Sequence, residues 1–118
     1  MEITFKWIWE AGSLGSLPEV DGKKDYVVVV NWRYRGTCAD PRDVNQDIMV
    51  DKYDQSTFKV EEDQKDYIPY EELTEEIIVG WLNLDVNAME ESLTKQVEAI
   101  LNPPIVYPPI PFTSSSKN

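Results

Sequence analysis

The strongest pattern of apolar and polar positions runs over residues 25–38, where four consecutive valines, Val27 to Val30, meet Tyr26, Trp32 and Tyr34. Branched and flat side chains suit a pleated surface and crowd a helix, so this stretch is predicted to be a long strand. Alternation by two puts Tyr26, Val28, Val30, Trp32 and Tyr34 on one face and Val27, Val29, Asn31, Arg33 and Arg35 on the other. The second face is apolar at one end and charged at the other. That pattern predicts a strand that begins covered on both faces and runs out to a wet surface.

The flanking segments are read by the same rules. Residues 2–10 alternate, with Ile3, Phe5, Trp7 and Trp9 on one side, and predict a first strand in which Ile8 breaks the pattern. Residues 11–24 carry Gly12, Gly15, Pro18 and Gly22 among small polar residues, and so predict a long loop. Asp40-Pro41 signals a turn, and residues 48–53 and 57–62 predict two shorter strands around Asp54-Gln55-Ser56. A charged joint over residues 61–66 leads to Tyr67, Ile68, Tyr70 and Leu73, which can lie on the sheet. Thr74 is placed to cap a helix carrying Ile77, Ile78, Trp81 and Leu82, within which Gly80 either permits a close approach to the sheet or weakens the helix. A second helix follows, with Asn87 as cap, Glu90 reaching back to it, and Met89, Leu93, Val97, Ile100 and Leu101 on one stripe. Asn102-Pro103-Pro104 ends it, because proline lacks the amide and disfavours helix in the residue before it.

These elements predict an α+β fold: a small antiparallel or mixed sheet of three to five strands with two C-terminal helices on one face. Trp7, Val28, Val30, Trp32, Trp81, Leu93 and Val97 are the expected core. Residues 1–102 form the single domain and residues 103–118 an extended proline-rich arm. Five prolines in residues 103–112 hold that arm open, while Ile105, Val106, Tyr107, Ile110 and Phe112 make it apolar, which a solvated linker would not be. Its side chains need cover from the chain's own domain, from another subunit, or from an aromatic groove on another protein. Tyr107 falls one position too late for the common Pro-Pro-x-Tyr ligand.

Charge narrows the range of partners. Of the net charge of −11, residues 61–118 supply most, with 12 acidic and 3 basic side chains. Such a field repels phosphate backbones and anionic membranes, so neither nucleic acid nor membrane is expected as a partner. There is no basic-then-apolar leader and no apolar run near ~20 residues, so neither export nor membrane insertion is expected. One cysteine, Cys38, forms no internal disulfide and fits a reducing compartment or an assembly built without disulfides.

Candidate chemistry is thin. Without histidine the usual base near neutral pH and the commonest zinc ligand are missing. Cys38 has Arg35 nearby but no base, and is expected to be an inert strand-end residue. Gly12-Ser13-Leu14-Gly15-Ser16 lacks the lysine and helix start of a phosphate loop and is expected to be a turn. Asp43-Val44-Asn45-Gln46-Asp47 has the alternating oxygens of a calcium loop without its glycine or closing glutamate, so a solvated acidic loop is expected. Trp32-Arg33-Tyr34-Arg35 interleaves cations and aromatics as nucleic-acid binders do, yet the acidic field favours Trp32 in the core and both arginines meeting carboxylates. No catalytic, cofactor-binding or metal-binding residues are assigned, no small-molecule substrate is expected, and an enzyme is not the expected class.

Pro69-Tyr70-Glu71-Glu72-Leu73-Thr74-Glu75-Glu76, then Gly80-Trp81, then Asn102-Pro103-Pro104 and a final Pro-Ile-Pro-Phe resemble a family of small, uncharacterised tailed-bacteriophage proteins. The aromatic strand Ile3 to Trp9 and the Val30 to Arg33 segment match as well. The resemblance implies a phage setting and supplies no catalytic residues. A virion structural protein is then expected: a capsid decoration or a tail or portal-region accessory, made in the host cytoplasm and located in the virion. Its partners would be the major capsid protein, tail or portal components, or further copies of itself. Docking is assigned to sheet surface and arm, with Ile105, Tyr107, Ile110, Phe112, Arg33 and Arg35 as the partner-binding residues. The alternative is a small acidic protein that inhibits a host DNA-binding protein by charge mimicry.

Overall fold

A computed structural model describes residues 2–60, 67–103 and 105–112. The charged joint expected over residues 61–66 and the last six residues lie outside the described residues. The fold is α+β: four antiparallel strands, β1 (Thr4–Trp7), β2 (Leu14–Val20), β3 (Lys23–Ala39) and β4 (Asp47–Thr57), precede two helices, α1 (Glu75–Leu82) and α2 (Val86–Leu101). A single 3-10 turn, Tyr70–Glu72, introduces α1.

Every other strand pairs with β3. β4 takes one edge, in register from Val29↔Thr57 to Ala39↔Asp47. β1 pairs with Tyr34 to Thr37 and β2 with Lys23 to Val30, so these two share the other edge end to end. The ladder carries across their junction: the Ile8 amide donates to the Arg33 carbonyl at 2.9 Å, and the Asn31 amide to that of Ser13 at 2.7 Å.

Two sequence expectations are overturned here. The loop expected over residues 11–24 contains β2, joined to β3 by Asp21 and Gly22, both at positive φ (48° and 84°). That two-residue turn has the twist the flanking strands need, and glycine supplies its second left-handed position without steric cost. Pro18 is tolerated because β2 is an edge strand. The first of the two short strands expected around Asp54-Gln55-Ser56 is instead a longer β4 that runs on through those residues, which pair with Trp32, Asn31 and Val30. Of the second, expected over residues 57–62, only Thr57 belongs to β4, residues 58–60 form no strand, and residues 61 and 62 lie outside the described residues.

The core lies between one face of the sheet and the helices. Val30, Trp32, Tyr34, Cys38, Ile48 and Val50 from the sheet meet Ile78, Leu82, Met89, Leu93 and Val97. Trp7 adds aromatic cover, 4.5 Å from the Tyr34 ring and edge-on to Trp32 at 6.0 Å. Gly36 admits this layer, since a Cβ there would stand 3.1 Å from Phe5 and 3.2 Å from Ile3. Of the expected core, Val30, Trp32, Leu93 and Val97 are buried, whereas Trp7 and Trp81 are partly covered. Val28 is displaced from the core cluster, because a bulge between Gly15 and Ser16 skips it and brings Val27 against the core instead. Val27, Val28 and Val29 are half-buried, and Asn31 beyond Val30 is exposed.

Thr74 caps α1 as expected, accepting from the Ile77 amide at 3.2 Å, and Asn83 ends it in the left-handed region. α2 begins two residues earlier than expected: Asp85, not Asn87, accepts from the Ala88 amide at 3.0 Å. Glu90 does not reach back to the cap but accepts from the Tyr34 hydroxyl at 2.6 Å, tying α2 to the sheet. No atom lies within 4 Å of a Cβ built on Gly80, so that glycine serves no close approach. Beyond Asn102, residues 105–112 form neither helix nor strand, and all are exposed.

Candidate functional site

The open face of the sheet carries one of the two groups of expected docking residues. Register sets Arg33 opposite Tyr53 and Arg35 opposite Asp51, so alternation places all four on the face away from the helices. Asp51 answers both arginines. Its Oδ2 accepts from Arg33 Nη1 at 2.7 Å and from Arg35 Nη2 at 3.0 Å, and its Oδ1 accepts from Arg35 Nε at 2.8 Å. These hydrogen bonds, led by those from Arg35, hold the Asp51 carboxyl below its ordinary pKa against the opposing effect of partial burial. The Arg33 guanidinium also lies 4.7 Å from the centroid of the Tyr53 ring. Both arginines therefore meet a carboxylate of their own chain and clamp β3 to β4. Beside the exposed polar Asn31 and Gln55, the face presents two exposed apolar side chains, Tyr53 at 68% and Met49 at 59%.

The second group is the arm. Ile105, Tyr107, Ile110 and Phe112 are each at least 65% exposed, so none packs on the domain. The arm leaves from the far end of β3: Leu101 lines the same surface cleft as Thr37, Cys38 and Ala39, and Arg42 Nη1 reaches the Ile100 carbonyl at 3.3 Å. The structure thus does not bring the two groups together into one site.

A third feature had no sequence expectation attached. Where β3 begins, Tyr26, Val27, Phe58, Tyr67, Leu73 and Trp81 wall a cleft of ≈ 160 Å³ with Lys59 at its edge. Tyr26 stacks on Tyr67 with centroids 5.7 Å apart, and Phe58 meets Trp81 edge-on at 6.1 Å. The Tyr67 hydroxyl donates to the Lys24 carbonyl at 2.8 Å, which fixes that ring. The aromatic residues were each visible, but four separate segments build the cleft and only the fold joins them.

The remaining candidates resolve into structure. Cys38 is buried, 5% exposed, between sheet and helices. Gly12 turns the chain at positive φ, and the Ser13 hydroxyl accepts from the Glu10 amide at 2.9 Å, while Gly15 belongs to β2. In the acidic loop the Asp43 carboxylate accepts from the Asn45 amide, and the Asp40 carboxylate binds the Arg42 guanidinium. Among the described residues no three acidic or thiol side chains converge as a metal site would require. Burial, with the Glu90 carboxylate beside it, pushes the Tyr34 hydroxyl well above its ordinary pKa, so it stays a donor.

No curated protein and no solved structure matches the chain. A family described as a domain of unknown function (DUF7936) matches residues 2–112, a span that takes in all four strands, both helices and the arm to Phe112. The chain belongs to that family.

Proposed function

We propose that the protein is a docking component of a bacteriophage virion, a capsid decoration or a tail or portal-region accessory. The observation that carries this reading is the arm, where Ile105, Val106, Tyr107, Ile110 and Phe112 are 65–90% exposed beside a domain whose own core is already filled. Covering such side chains releases on the order of 25 cal/mol per Å² of apolar surface, and the prolines lower the entropy lost when the arm is fixed. Tyr53 and Met49 on the open sheet face offer a second, smaller apolar contact, stiffened by the Arg33–Asp51–Arg35 clamp. The sequence resemblance to tailed-phage proteins supplies the setting. The role requires no reaction, cofactor or metal; the partners are other virion proteins or further copies of the chain.

Mass spectrometry of purified particles tests the reading. Abundant copies are expected. Absence from particles would overturn it and favour the acidic inhibitor of a host DNA-binding protein, a reading supported by the exposed carboxylates of Glu71, Glu72, Glu75 and Glu76. Binding by charge mimicry would weaken steeply with added salt, whereas docking through an apolar arm would not.

A further inference from the structure

Two features of this chain have matching chemistry and lie apart. The cleft at the start of β3 is walled by paired aromatic rings, and the arm is an exposed, uncharged, proline-rich segment. At ≈ 160 Å³ the cleft is smaller than the roughly 300–1,000 Å³ that engulfs a small molecule. It has room for one or two side chains of a longer ligand. Fixed aromatic walls are the surface on which proline-rich segments dock, because the extended chain arrives with little entropy left to lose.

We propose that the cleft receives the arm of a second copy of the chain, anchored by Tyr107 and Ile110. An extended proline-rich helix repeats every three residues, so these two share one edge, with Pro108 and Pro109 between them. This names a partner for the docking role above and rests on that reading only in giving the arm a docking task.

Reach decides between the chain's own cleft and a neighbour's. The arm departs beside Thr37, Cys38 and Ala39, while the cleft lies at Tyr26 and Val27. The steps of β3 from Tyr26 to Cys38, at about 3.3 Å each, separate the two by roughly 40 Å. Even fully extended, at up to about 3.6 Å per residue, Tyr107 lies no more than about 22 Å and Ile110 about 32 Å from Leu101. Neither anchor can enter its own cleft.

Charge favours the same geometry. Copies with a net charge of −11 repel one another, and an uncharged arm joins them without pressing acidic faces together. Around the cleft the charges are mixed, with Lys59 at its edge and the Lys23 ammonium 6.0 Å from the Tyr67 ring set against the carboxylates of Asp25, Glu71 and Glu72, a setting in which an uncharged ligand meets no net repulsion. An arm-to-cleft contact is head-to-tail, so it leaves every copy with one free arm and one free cleft until a ring closes.

Cysteine trapping in the full chain tests this. Lys59→Cys at the cleft and Val106→Cys in the arm are made as separate variants, mixed and oxidised, alongside a control mixture in which Glu91→Cys replaces Lys59→Cys. The Lys59→Cys and Val106→Cys mixture is expected to give a covalent heterodimer well above the control. Adding Tyr107→Ser and Ile110→Ser to the arm variant should reduce it about tenfold or more, and added salt should increase it by screening the repulsion between copies. A heterodimer no more abundant than the control, or unmodified protein that stays monomeric by light scattering as concentration rises, would overturn the pairing. Either result would leave membership of the particle standing, just as absence from particles would leave the trapped heterodimer unaffected.

Discussion

Leu93 and Tyr107 stand on consecutive parts of one chain and meet opposite surroundings. Leu93 is wholly enclosed, as are Val30 and Val97 in the same core, while Tyr107 is 90% exposed and its apolar neighbours in the arm are 65–74% exposed. The residue types are alike; what differs is whether the backbone returns to the sheet. α2 runs across β3 and β4 and fills the core with its stripe, so by Leu101 the helix-covered face of the sheet has no room left for the arm. The difference separates two jobs. The domain's side chains hold the fold, and the arm's side chains are free to hold something else.

That separation can be broken or sharpened by mutation. The largest effect is expected at the enclosed end: Leu93→Ala should cost about 3–5 kcal/mol, and Trp32→Ala a similar amount, read as a lowered midpoint in urea. A loss below about 1 kcal/mol at either position would show that the core is not where the helices meet β3. A smaller loss, about 1–2 kcal/mol, is expected for Asp51→Asn, which leaves Arg33 and Arg35 without their shared carboxylate. The same clamp has a pH signature. Because the Asp51 pKa is lowered in the folded state, its stabilisation is fully present above the ordinary value of 3.8 and is lost as pH falls through the lowered one. Asp51→Asn should therefore flatten part of the acid limb of the stability curve, and an unchanged acid limb would count against the clamp.

Gly80→Ala should act in the opposite direction. The position is helical, exposed and open around its Cβ, so alanine should stabilise by about 0.5–1 kcal/mol. The smallest effect belongs to the arm. Replacing Ile105, Tyr107, Ile110 and Phe112 together with serine should leave the melting temperature of the dilute protein unchanged. A marked fall would mean that the arm covers its own domain.

The sequence made the regular parts of the fold legible where side chains report their surroundings. Alternation along β3 and the stripe Met89, Leu93, Val97 on α2 both name residues that are buried. β2 was hidden because Gly15, Ser16 and Pro18 have the composition of a loop, although Asp21-Gly22 between two extended segments was a usable hairpin signal. The far end of β4 was missed because Asp54, Gln55 and Ser56 resemble a turn, while at a sheet edge they pair through their backbones and need no apolar side chains. The arm was visible from its prolines. The Asp51 clamp required the register of β4, and the aromatic cleft required Tyr26, Phe58, Tyr67 and Trp81 to be brought together from four segments.

Sharing β3 among three strands has one further consequence, which concerns solubility. With β1 and β2 on one side, the outer side of β4 is left as a long open edge, since among the described residues β4 pairs with β3 alone. A bare edge of eleven residues is a template for adding strands without limit, the route by which sheet proteins precipitate. Asp47, Asp51, Lys52 and Asp54 are spread along it, and charged side chains on an edge strand oppose the addition of another strand. Charge spread in this way disfavours the stacking of crowded copies edge to edge.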